Sequence, residues 1–286
     1  MKKILLFVAF MLVGFLGVGQ NNSSYIIKFK TQNDSVCFNT QNVSGIRIDA
    51  FGQELIHDNG TEWTALEELD TVYVYRTENA PDWIDLGLPS GLLWATHNVG
   101  ANAPEEYGDY FAWAETSPKS VYDWETYLYS CNHNYWSFTK YCYEFTSGCN
   151  GYTDTLTILQ PGDDAATMNW GDGARTPTVE EWRELRDHCT WVWTTLNGVN
   201  GSLFTGPNGN TLFLPACCRY NEEGLYGWEG QEGWYWSSSL YQELFEVDIA
   251  YDFYIGYIPD FGNGWADSDR AVRNHGLCVR AVRSAK

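Results

Sequence analysis

Residues Phe245–Tyr257 read FEVDIAYDFYIGY, and every odd position is apolar or aromatic: Phe245, Val247, Ile249, Tyr251, Phe253, Ile255 and Tyr257. A period of two is the pattern of a β-strand with one buried face. On that reading the odd side chains enter a core, while Glu246, Asp248, Asp252 and Tyr254 face outward. The tract exceeds the usual ~3–10 residues of a strand. A bend near Ala250–Asp252 is therefore expected, dividing it into two strands. YWSSS (Tyr235–Ser239) precedes the tract, and a loop from Pro259 to Asp269, carrying Phe261 and Trp265, follows it.

Upstream lies ARTPTVEEWREL (Ala174–Leu185). Thr178 followed three residues later by Glu181 is a capping-box signature. Val179, Trp182 and Leu185 then form one apolar stripe of an amphipathic helix. A second short helix is expected over Asp163–Met168, with acidic residues in its first turn favoured by the helix dipole. Elsewhere short strands dominate. CTWVWTT (Cys189–Thr195) alternates, and NGVNG and PNGN are turn formers. These elements predict an α+β domain with few helices, grouped on one side of a mainly antiparallel sheet.

The chain has 286 residues, 44% of them hydrophobic and 19% charged, which is a globular composition. Of 14 Trp only Trp63 precedes residue 80, which implies two regions of different character. Residues 1–20 have the layout of a secretory signal peptide: Lys2-Lys3, an apolar run over Ile4–Val18, then Gly19-Gln20-Asn21. The apolar run is shorter than the ~20 residues a membrane-spanning helix needs. The expectation is export to the medium or cell surface, with no membrane span after cleavage. Residues 21–78 read as a small β-rich domain. Within it Val43, Ile46 and Ile48 and then Leu69, Val72 and Val74 form a weak repeat, each triplet preceded by an aromatic, Phe38 or Trp63. Glu78-Asn79-Ala80-Pro81 breaks the strand pattern, so a second domain is placed at 79–286.

That second region carries a distinctive series of motifs. DWIDLGLPSGLLWATHNVGA (Asp82–Ala101) and APEEYGDYFAWAET (Ala103–Thr116) are followed by ARTPTVEEWREL, CTWVWTT, NTLFLPA (Asn210–Ala216), YWSSS and GLCVRAV (Gly276–Val282). In this order and spacing they resemble the Fibrobacter succinogenes major paralogous domain family, common in secreted Bacteroidetes proteins. The resemblance spans about residues 82–283. It implies a C-type lectin-like fold, shared with formylglycine-generating enzymes and with retroelement-diversified variable proteins. It also implies a ligand face made by late strands and loops, which maps onto the opening tract. The expected ligand-binding residues are thus Glu246, Asp248, Asp252, Tyr254, Phe261 and Trp265. The span Tyr241–His275, framed by YWSSS and Gly276–Arg280, has the form of a variable insert in a fixed frame.

Function classes can then be weighed. The formal charge of −20 repels polyanions, so nucleic acid is not an expected partner. No HExxH, GxSxG or P-loop motif occurs. His275 lies three residues before Cys278, so a Cys-dependent oxidase using Cys278, or a hydrolase, on the same fold is the alternative reading; His188 adjoins Cys189, but neighbours on one strand point to opposite faces. The formylglycine-generating relatives need a pair of Cys near the domain's end. Only Cys278 lies there, so their chemistry does not carry over. The eight Cys are too sparse for a disulfide scaffold, although Cys131, Cys142 and Cys149 share one polar stretch where a local bridge would fit. Neither Asp267/Asp269 nor Asp163/Asp164/Asp172 forms a DxDxDG calcium loop. The sequence therefore predicts a non-catalytic, cofactor-free binding module for an extracellular glycan or protein ligand.

Overall fold

The computed structural model describes the strand backbones over residues 25–31, 35–39, 43–48, 52–57, 60–65 and 69–76, and residues 81–285 apart from 172, 244–245 and 259–262. The segment read as a signal peptide, Phe261 and Asp172 lie outside the described residues. The chain divides into two compact units, Met1–Glu78 and Asn79–Lys286.

The first unit contains β1 (Tyr25–Thr31), β2 (Ser35–Asn39), β3 (Val43–Ile48), β4 (Gly52–His57), β5 (Gly60–Ala65) and β6 (Leu69–Arg76). They form two antiparallel three-stranded sheets, ordered β2-β1-β6 and β3-β4-β5. The two copies of the apolar triplet thus fall in different sheets, on β3 and β6.

In the second unit the strands are β7 (Trp83–Asp85), β8 (Leu92–Ala95), β9 (Tyr110–Phe111), β10 (Ser130–Cys131), β11 (Asn134–Phe138), β12 (Thr190–Leu196), β13 (Val199–Thr205), β14 (Thr211–Pro215), β15 (Arg219–Asn221), β16 (Gly224–Tyr226), β17 (Glu232–Leu240), β18 (Ile249–Ile258), β19 (Asn263–Val272), β20 (Leu277–Cys278) and β21 (Val282–Ser284). The α-helices are α1 (Ala165–Trp170) and α2 (Val179–His188). Short antiparallel strands with few helices are therefore the architecture. The central sheet runs β19-β18-β17-β20-β9, and its one parallel pairing joins Tyr235 to Cys278.

The helix α2 forms where its local signals place it. Thr178 accepts from the Glu181 N–H, and the Glu181 carboxylate accepts from the Thr178 N–H at 2.8 Å, closing the capping box. Val179, Trp182 and Leu185 are its buried residues. Trp182 lies flat on Phe253 of β18, with centroids 4.6 Å apart and planes at 4°, and donates from Nε1 to the Trp236 carbonyl at 3.2 Å. The Asp163–Met168 helix is shifted to Ala165–Trp170, because Asp164 serves as its N-cap and accepts from the Thr167 N–H. The helices do not share one core cluster: α1 contributes Ala165, Ala166 and Trp170 to one, α2 contributes Trp182 and Leu185 to another.

The opening tract departs from its two-faced reading. β18 is continuous through Ala250–Asp252 and pairs with β19 without a break, from Ile249↔Val272 to Ile258↔Asn263. The irregularity lies on the neighbouring strand, where the register to β18 jumps between Trp236 and Leu240. There the Ser238 N–H donates to the Pro177 carbonyl and the Leu240 N–H to the Thr157 carbonyl, both at 2.8 Å. The serines of YWSSS are small and buried because this bulge turns their backbone toward other segments. Both faces of β18 are covered: Phe253 and Ile255 pack with α2, while Ala250 packs in the other cluster with Trp236. A covered even face is why a polar residue there need not meet solvent.

Candidate functional site

The sheet end where β17 begins and β18 finishes gathers partly buried aromatic and polar groups on both faces. On the even face the Tyr254 ring stacks on Trp234 (4.6 Å, 29°) and leans on Trp265 (5.6 Å, 45°). The Tyr254 hydroxyl donates to Glu232 Oε1 at 2.5 Å, and Glu232 Oε2 accepts from the Trp228 N–H at 3.1 Å. Burial and that carboxylate neighbour push the Tyr254 phenol up, so it stays a donor. The Arg219 guanidinium covers Trp234 at 4.7 Å and Tyr226 at 5.2 Å. Trp228 is 57% exposed. Gly256 lies beneath Trp265, and a Cβ there would come within 2.5 Å of the indole.

On the odd face Trp193 of β12 and Tyr257 of β18 lie parallel, with centroids 5.7 Å apart and planes at 12°. They line an open groove of about 640 Å³ with Thr194, Thr195, Asn200, Glu229 and Gln231. The Tyr257 N–H donates to the Gln231 carbonyl at 2.9 Å, which joins the groove's two sides.

Of the residues predicted to bind ligand, only Tyr254 and Trp265 are brought together here. Asp252 is corrected outright. It is 0% exposed and forms no hydrogen bond of normal length, and burial first and then the Asp269 charge push its carboxyl well up, against weaker opposing effects from Arg219 and the Asp269 N–H. Asp248 precedes β18 in a turn, not on an outward strand face, and its carbonyl accepts from the Arg273 N–H at 2.9 Å. Glu246 pairs with Arg270 at 3.5 Å. Glu246 and Asp248 therefore sit at the opposite end of β18 from Tyr254. Sequence reasoning missed Trp193, Arg219, Trp228 and Glu232. The alternation of CTWVWTT, which places Trp191 and Trp193 on one face, was the available signal for the first.

The free thiols lie in the core. Cys278 is fully buried, donates to the Tyr107 carbonyl at 3.2 Å, and has its thiol pushed well up, chiefly by burial. Its fully buried neighbour Cys217 comes from the loop after β14, and the two thiols are within hydrogen-bond reach. His275 is lowered to about 4, by burial first and then by Arg219. His188 approaches the Glu184 carbonyl at 3.2 Å, while Cys189 is buried and pushed up to about 11. Cys131 and Cys149 form a disulfide, and Cys142 is free and buried.

Acidic clusters are occupied by protein donors. Asp163 accepts from Tyr129 (2.6 Å), Tyr141 (2.5 Å) and Lys140 (2.5 Å). Asp164 accepts from the backbone and hydroxyl of Thr176. Among the described residues no group of three or more His, Cys, Asp or Glu converges to hold a metal ion, and no helix is long and apolar enough to cross a membrane. Compared with known proteins, the chain matches no family model, no curated protein and no solved structure.

Proposed function

We propose that the chain is an exported, non-catalytic binding module whose glycan or protein ligand meets the distal end of the central sheet, the end where β17 begins and β18 finishes. The observation that carries this reading is the gathering there of Trp193, Tyr254, Tyr257 and Trp265, each partly buried, in contact with one another in pairs. Rigid aromatics beside short polar groups are the composition of recognition surfaces. The motif series supports a C-type lectin-like fold of the major paralogous kind, and the N-terminal layout supports export. Against a thiol oxidase or hydrolase stand the burial of Cys278 and its raised thiol, because the reactive species is the thiolate.

The test is an array of glycans and surface proteins probed with the secreted chain. Trp193→Ala, Tyr254→Ala and Trp265→Ala are then measured against the ligand found. At least one should weaken binding tenfold or more without changing the melting temperature greatly. Full-strength binding by all three would place the ligand face elsewhere. A turnover abolished by Cys278→Ser would overturn the non-catalytic reading.

A further inference from the structure

Resting on the reading of the distal end as a ligand face, we infer that the groove between β12 and β18 is a subsite for neutral carbohydrate, with one hexose unit lying over the Trp193 and Tyr257 rings. The platform is the first observation. The two rings are nearly parallel at 12°, and their centroids, 5.7 Å apart, are too distant for full face-to-face overlap, so part of each ring face is left uncovered by the other. The backbone of β19 holds the platform in place: the Trp193 Cβ lies 3.7 Å from where a Gly264 Cβ would stand. A pyranose presents a patch of C–H groups on one side, and the negative face of an aromatic ring attracts such partly positive hydrogens.

The rim is the second observation. Thr195 Oγ1 donates to Asn200 Oδ1 at 2.8 Å, and Asn200 Nδ2 donates to the Gly230 carbonyl at 2.9 Å. One amide hydrogen and the hydroxyl lone pairs are left over. The side chains of Thr194, Glu229 and Gln231 make no hydrogen bond within the described protein. Sugar hydroxyls are donor and acceptor at once, and mixed amide, hydroxyl and carboxylate groups match them. Among the described residues no aliphatic side chain lines the groove, so its apolar surface is confined to the two rings. A volume of about 640 Å³ lies within the ~300–1,000 Å³ usual for small-ligand sites. Charge selects among sugars: Glu229 in the groove and a net charge of −20 repel uronates and sulfated chains.

The experiment titrates the secreted chain with soluble hexasaccharides of gluco, manno, galacto and xylo configuration, and with a galacturonate hexamer, by calorimetry and Trp fluorescence. At least one neutral hexamer should bind and shift the fluorescence. Trp193→Ala should weaken it tenfold or more, Trp193→Phe should retain most of the affinity, and Phe145→Ala, an exposed ring outside the groove, should leave it unchanged. Melting curves show whether a lost signal reflects unfolding, and the Trp193→Phe variant then carries the test. No binding by any neutral hexamer, preference for the galacturonate, or full affinity in Trp193→Ala would overturn the inference. If Tyr254→Ala or Trp265→Ala abolishes binding of a protein from the array while no hexamer binds, the ligand-face reading survives and the carbohydrate subsite does not.

Discussion

Arg280 Nε donates to Asn98 Oδ1 at 2.8 Å, joining residues 182 apart in sequence. The same guanidinium donates from one terminal nitrogen to the Ala95 and Thr96 carbonyls at 3.2 and 3.0 Å. Beside it the Val99 and Ala95 N–H groups bond the Val279 and Ala281 carbonyls, both at 2.9 Å. The first and last motifs of the second unit are therefore one structural element. Arg280 is fully buried among neutral acceptors, and desolvation lowers it to about 10.

Arg280→Met should destabilise the second unit by about 3–5 kcal/mol. Hydrogen bonds from a charged donor contribute ~1.5–3 kcal/mol each, and their acceptors would be left buried and unpaired. Urea unfolding followed by Trp fluorescence reads the change. A shift below 1 kcal/mol would mean that the guanidinium does not join the two segments.

Asp252→Asn should stabilise the protein at pH 7, because a side-chain amide is neutral without the proton that the buried carboxyl must hold to escape its desolvation cost. The folded carboxyl is raised, so between its unfolded and folded values the native state holds a proton that the unfolded state has released. The wild type therefore loses stability as pH rises above about 4, and the variant does not. Melting temperatures from pH 4 to 8 should diverge in favour of Asp252→Asn. Convergence toward neutral pH would show that Asp252 is hydrated or paired in solution.

His275 acts with the opposite sign. Its unfolded value is near 6.5 and its folded value is about 4. Between these limits the unfolded chain binds a proton that the native state does not. Stability is full above pH 6.5, falls as pH drops toward 4, and levels off below, with a total loss of about 3 kcal/mol. His275→Gln should flatten that slope in urea midpoints measured from pH 7 to 4. An unchanged slope would assign the acid sensitivity to other groups.

Much of this was legible where the signal is local. The Thr178–Glu181 capping box and the Val179/Trp182/Leu185 stripe lie within one helix, and the structure shows both. The alternation of Phe253, Ile255 and their neighbours was legible as a strand with a core face. That the even face is also covered was not legible, because Trp236 and Ala271 reach it through tertiary packing, and so Asp252 was misread as exposed. The short spacing of Cys131 and Cys149 marked a loop that could close on itself, but not which pair would close it. Asn98 with Arg280, and Trp193 with Tyr257, meet only through sheet order, and no period or spacing encodes that.

Thiol protection offers a chemical check on the core. Cys142, Cys189, Cys217, Cys218 and Cys278 are all buried and free. Burial raises the Cys278 thiol and pushes Cys189 to about 11 and Cys218 to about 12. Iodoacetamide at pH 8 should leave these five positions unlabelled in native protein and label all five in urea, as mapped by peptide mass spectrometry. Rapid native labelling of Cys278 would reopen the Cys-dependent alternative.

Gly256 tests the even face of the distal end. Tyr254, Trp265 and Glu232 hold one another through ring contact and a hydroxyl–carboxylate bond, and Gly256 is the floor on which Trp265 rests. A methyl group there would meet the indole at 2.5 Å, far inside van der Waals contact. The backbone can accept alanine, since Gly256 lies within the regular β18–β19 ladder, opposite Trp265. The indole must therefore move. Overpacking of this kind costs about 1–3 kcal/mol, and a ring only partly buried places Gly256→Ala near the low end. The variant should fold, with a melting temperature a few degrees lower and an altered near-UV spectrum from the displaced Trp265. A ligand held on the Tyr254–Trp265 face should bind more weakly to it, whereas a sugar held in the Trp193–Tyr257 groove should not, because the groove lies across the sheet. A near-UV spectrum and melting temperature identical to wild type would show that Trp265 does not lie over Gly256, and the even face would lose its place in the ligand site.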